Sequence, residues 1–93
     1  MKATEYPVDL TAYEYGLLTD NELIATLCRR QLASATEHDE GIELLLTLDQ
    51  LEELTGFVAA ESNHARSKRQ RQELGEICDY LEAALYRIKR FGS

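Results

Sequence analysis

Four basic residues, Arg66, Lys68, Arg69 and Arg71, crowd six consecutive positions of this chain. Grouped guanidinium and ammonium groups can clamp a phosphate or an acidic protein surface. Their place sharpens the point. They fall at the turn into the last helix and on its first turn, where the helix dipole is already positive and cations are disfavoured. A charge placement that costs stability invites a binding role. The plainer reading is that Arg66 and Lys68 complement the end of the preceding helix while the others are solvated. No aromatic residue is interleaved with the four cations, which makes a poor nucleic-acid footprint.

Glu61 and His64 are the next candidates. Glu-x-x-His on one helix face is half of what a di-iron carboxylate bundle uses. The other half would have to come from a second copy, with Glu52 or Glu53 supplying further carboxylates. The simpler role for His64 is that of a histidine favoured by the negative end of its helix. His38 stands among Glu37, Asp39 and Glu40, and lacks the later glutamate of a calcium-binding loop. Cys28 and Cys78 lie on apolar helical faces without metal-ligand spacing, which describes free, buried, unreactive thiols. The chain has no glycine-rich phosphate loop, no Gly-x-Ser-x-Gly and no zinc pattern. These residues therefore point to no cofactor, no resident metal and no enzymatic activity.

The remaining candidates are apolar. Leu74, Ile77, Leu81, Ala84, Ile88 and Phe91 follow one another in steps of three and four, and Cys78 and Leu85 widen the stripe. This is the signature of a core-facing helix over 68–91. Tyr80 and Tyr86 fall outside the stripe. They either cap the core edge or belong to a second strip that meets a partner. The stripe also overhangs the helix before it by about two turns at ~1.5 Å per residue. Ile88 and Phe91 therefore need cover from helices 1 and 2 or from a second copy.

The elements that position these residues announce themselves by their starts. Thr11 with Glu14, Thr19 with Glu22, and Thr47 with Gln50 each have the form of a capping box with apolar residues on either side; Ser67 with Gln70 is a fourth box without that staple. They predict helices over about 11–18, 20–35, 48–64 and 68–91. The second presents Leu23, Ile24, Leu27, Cys28, Gln31 and Ala35 on one side. The third buries Leu51, Leu54, Phe57 and Val58, and its Gly56 marks a close approach of another helix. The short turn 63–67 makes the last two helices an antiparallel hairpin. Two alternating segments, about 5–9 and 42–46, suit a minimal two-stranded ribbon, with Pro7 confining the first to an edge. Residues 36–41 read as a polar loop. The expected fold is mainly α: four helices, with helices 1 and 2 packed across the C-terminal hairpin.

Composition sets the remaining bounds. Ninety-three residues form one small domain with a small core, for which association with a second copy is a gain. The net charge of −7 argues against a general affinity for nucleic acid or an anionic membrane. The charge is uneven: residues 1–65 carry 3 basic and 13 acidic side chains, residues 66–93 carry 7 basic and 4 acidic. Such asymmetry suits self-complementary association. The opening residues MKATEYPVDL lack the apolar stretch of a secretory leader, and no apolar run approaches a membrane span, so the expected location is cytoplasmic. The expected function is a non-enzymatic interaction or dimerisation module, with Arg66, Lys68, Arg69, Arg71, Tyr80, Tyr86, Ile88 and Phe91 as its contact residues. A regulator that binds nucleic acid or an acidic partner through the basic turn is the first alternative. A metal-binding protein using Glu61 and His64 is the second.

Overall fold

A computed structural model describes residues 3–92. The chain runs β1 (Glu5–Leu10), α1 (Ala12–Asp20), α2 (Glu22–Leu27), α3 (Arg29–Ala33), β2 (Thr36–His38), β3 (Gly41–Thr47), α4 (Leu48–His64) and α5 (Lys68–Phe91). It is mainly helical, as its periodicity requires. It differs from the expected plan in having five helices and a three-stranded antiparallel sheet of order β1-β3-β2.

Three of the four starts are capped as their residue types demand. The Thr11 hydroxyl accepts from the Glu14 amide at 3.0 Å, and the Glu14 carboxylate accepts from the Thr11 amide at 2.8 Å. Thr47 and Gln50 repeat the arrangement at 3.1 and 3.0 Å. Ser67 accepts from the Gln70 amide at 2.9 Å. Each bond satisfies an amide that the first helical turn leaves without a partner. The Thr19 box does not form. Helix α1 continues through Asp20, so Thr19 is helical and its hydroxyl donates back to the Gly16 carbonyl. Asn21, two residues later, caps α2 instead by accepting from the Ile24 amide. Asn is at least as good an N-cap as Thr.

The expected single helix over 20–35 is two helices. Cys28 leaves the helical region at φ −111° and ψ 31° between them. No proline or glycine marks this break. Its two halves meet different partners, α2 lying against α4 and α3 against both α4 and β3. Ile24, Cys28, Gln31 and Leu32 are buried, whereas Leu23 and Leu27 are exposed. The expectation that Leu23 and Leu27 line the core is therefore corrected.

The sheet is larger than the ribbon. β1 pairs with β3 from Glu5 opposite Thr47 to Leu10 opposite Ile42. The polar loop 36–41 is instead a hairpin, in which Thr36, Glu37 and His38 add a short strand to the other side of β3. The alternation of β3 puts Ile42, Leu44 and Leu46 into the core, together with Val8 and Leu10 of β1. The Leu45 amide donates to the Ser34 hydroxyl, on the β2 side. Pro7, directly opposite Leu45, therefore turns its nitrogen away from β3. Its missing donor removes no ladder bond, which is why proline is tolerated in this edge strand.

Helices α4 and α5 pack along each other, joined by residues 65–67. Leu51, Leu54, Thr55 and Val58 of α4 are buried, with Phe57 only partly so. Leu74, Ile77, Cys78, Leu81, Ala84 and Ile88 of α5 are buried. The details of their approach differ from expectation. A Cβ at Gly56 would meet nothing within 4 Å, whereas one at Gly75 would lie 3.4 Å from the Ser62 hydroxyl oxygen. The close crossing thus lies near the turn, where the Ser62 hydroxyl also donates to the Arg71 carbonyl at 3.0 Å.

The two glycines Gly41 and Gly56 should respond oppositely to alanine. Gly41 has φ +153°, and an added Cβ would lie 2.5 Å from the Leu10 carbonyl oxygen. Gly41→Ala is expected to cost roughly 2–3 kcal/mol. Gly56→Ala is expected to stabilise by roughly 0.5–1 kcal/mol, because it adds helix propensity in open space. Urea titration followed by circular dichroism reads both; a neutral Gly41→Ala would contradict the backbone conformation at the β2–β3 turn.

Candidate functional site

The basic turn keeps its four cations on the surface. Arg66, Lys68, Arg69 and Arg71 are all exposed. Only Arg69 has an ion-pair partner among the described residues, its Nε lying 3.7 Å from Glu73 one helical turn on. Glu73 is shared, since it also accepts from the Tyr13 hydroxyl and so ties α1 to α5. Arg66, Lys68 and Arg71 remain free to meet an acidic group.

Glu61 is committed elsewhere. Its carboxylate accepts from the Asn21 side-chain amide at 3.0 Å, and Asn21 is the residue that caps α2. The Glu61–Asn21 bond therefore fastens the start of α2 to α4. His64 is exposed at the end of α4. Among the described residues no group of three His, Cys, Asp or Glu side chains comes together as a metal would need. His38 Nε2 lies 4.0 Å from a Glu43 oxygen across the β2–β3 hairpin.

Both thiols are shut away. Cys28 is pushed up to about 11, first by burial and then by the nearby Glu53 carboxylate. Cys78 is also pushed up to about 11, by burial, by its hydrogen bond to Glu82 and by Asp79. Thiolate is the reactive form, so both groups are poor nucleophiles near neutrality. Beside Cys28, buried Gln31 donates to the Glu53 carboxylate at 2.7 Å. The Tyr15 hydroxyl donates to the Leu32 carbonyl at 2.9 Å, so α1 and α3 are also locked together.

The C-terminal end of α5 is different in kind. Ile88 is buried, so it drops out of any contact surface, and the cover it needs is supplied within the chain. Phe91, on the same sequence stripe, is 69% exposed, and Tyr86 is 61% exposed. The stripe therefore leaves the core after Ile88. Arg90 stands between the two rings, its guanidinium carbon 6.0 Å from the Tyr86 centroid and 5.8 Å from that of Phe91. Tyr80 is at the margin of exposure and lines a groove of about 480 Å³ with Tyr6, Pro7 and Arg87. Lys89, on the opposite side, pairs with Glu52 of α4 at 3.7 Å.

A second apolar feature lies at the far end of the helix pair. Leu23 and Leu27 are 45% and 44% exposed and line a groove of about 550 Å³ with Asp20, Glu22, Glu61 and Gln70. Sequence reasoning missed this groove because it placed Leu23 and Leu27 on the inward side of the helix, together with Ile24, Cys28 and Gln31. In α2 it is Ile24 that faces the core, which leaves Leu23 and Leu27 outside.

No helix is long and apolar enough to cross a membrane among the described residues. Comparison with protein-family models, with curated proteins and with solved structures returns no match to this chain.

The thiol environment yields a direct test. At about pH 8, a pKa of about 11 in place of 9.0 leaves roughly a hundredfold less thiolate. Iodoacetamide is expected to label native Cys28 and Cys78 at least that much more slowly than the urea-unfolded chain. The folded state also holds these protons after the unfolded chain has released them. The stability they contribute is complete below about pH 9 and is lost as pH rises towards about 11. Equal labelling rates in native and unfolded protein would refute the buried-thiol assignment.

Proposed function

We propose that this protein is a non-enzymatic interaction module that associates with copies of itself, in the first instance as a dimer. The observation that carries this reading is the cluster of Tyr86, Arg90 and Phe91, where two large rings stand in water around one cation. Aromatic residues and arginine are the side chains that most often anchor protein–protein contacts. The distribution of charge supports it further. Three ion pairs form among the described residues, and one of them involves a histidine. The cations of α5 and its turn are therefore mostly unmatched within the chain, while its first two thirds carry an excess of acid. Opposite charges that do not meet within one copy are available between two. The two free cysteines fit a reducing, cytoplasmic setting.

Sedimentation equilibrium at roughly tens of micromolar is expected to give a mass above that of one chain, and the melting temperature is expected to rise with protein concentration. A monomer with a concentration-independent melt counts against self-association.

The exposed and unpaired Arg66, Lys68 and Arg71 favour one second reading, contact with an anionic polymer through the turn before α5. If duplex DNA binds there at low salt, the double variant Arg66→Ala and Arg71→Ala is expected to reduce the slope of log affinity against log salt by about 2. Absence of binding, or an unchanged slope, removes this reading.

A further inference from the structure

We infer that copies of this chain join head to tail, the Tyr86–Arg90–Phe91 end of α5 in one copy seating in the Leu23–Leu27 groove of the next. This inference rests on the self-association proposed above and names its two surfaces.

The two features are complementary in shape class and in charge. One is convex, with two exposed rings flanked by the exposed cations Arg87 and Arg90. At ~100° per residue, positions 86, 90, 87 and 91 share one arc of α5. The Arg90 guanidinium lies within cation–π reach of both rings. The other is a shallow groove, with two exposed leucines one helical turn apart and a lining that includes Asp20 and Glu22. Leucine is a natural floor for an aromatic ring, and the lining carboxylates oppose the arginines.

Position decides the geometry. The groove borders Glu61 near the end of α4 and Gln70 on the first turn of α5. The ring cluster lies on the last turns of α5, which at ~1.5 Å per residue is about 30 Å away along a 24-residue helix. The molecule is 41 Å long in all. One copy therefore cannot fill its own groove. When a knob at one end fits a groove at the other, the contact is heterologous: a pair retains one free knob and one free groove and can take up further copies, unless a ring closes. A patch that meets itself across a two-fold axis would stop at two.

Two variants test this, and both change exposed side chains, so folding is retained and checked by circular dichroism. Phe91→Asp removes the knob. Leu23→Lys with Leu27→Lys blocks the groove and neutralises its lining. The wild-type weight-average mass is expected to grow past twice that of one chain between roughly 10 μM and 1 mM, and less so at high salt. Each variant alone is expected to remain monomeric. A mixture of the two is expected to form a complex of one copy of each that grows no further, because one knob and one groove survive between them. Variants that associate like wild type, or a mixture that stays monomeric, would each overturn the knob-in-groove contact while leaving self-association standing. A wild type monomeric throughout would overturn both.

Discussion

The structure depends first on the burial of one face of α5. Six of its side chains, from Leu74 to Ile88, are closed off from water, and they do so only because α4 runs beside them and the inner face of the sheet completes the enclosure. Burying a leucine or isoleucine side chain contributes roughly 1.5–3 kcal/mol, so this stripe is a large fraction of what holds so small a protein together. Every other element is placed in relation to it. β3 passes straight into α4 through the Thr47 cap, so the central strand and the partner helix are one continuous support.

Specific polar bonds then locate the short helices, whose own lengths could not hold them. Helices of five or six residues are unstable alone. α2 is held by Asn21 to Glu61, α3 by Tyr15 and by Gln31 to Glu53, and α1 by Tyr13 to Glu73. Most of these bonds reach across from one element to another far along the chain. They give Glu61 and Glu53 structural duties. Ion pairs matter less here: Arg69–Glu73 and Lys89–Glu52 are surface pairs, which contribute little to stability. The charge of this protein is arranged across its surface and is mostly unspent inside it. That pattern favours a role in association over one in folding.

Much of this was legible from residue types. The Thr11, Thr47 and Ser67 caps, the alternation of β1 and β3, the edge position forced by Pro7 and the periodic stripe of α5 all rest on local rules, and each local rule holds where its neighbours in sequence supply what it needs. Where it fails, a distant element intervenes. Thr19 has the form of a cap but lies inside a helix that Asn21 ends. Thr36–His38 is too polar to announce a strand, yet β3 offers it a ladder. Gly56 has no close neighbour, and Gly75 does.

Residue types and their order alone therefore make the protein mainly helical, mark where its two long helices begin and segregate its acid from its base. Those properties follow from hydrophobic period, capping chemistry and composition, which are local or additive. Which apolar residues remain in water is settled by packing between distant elements. Leu23 and Leu27 stand outward because α2 turns Ile24 to the core, and Phe91 stands clear because the core ends at Ile88. Exposure is a property of what lies opposite a side chain, and no pattern along the chain records that.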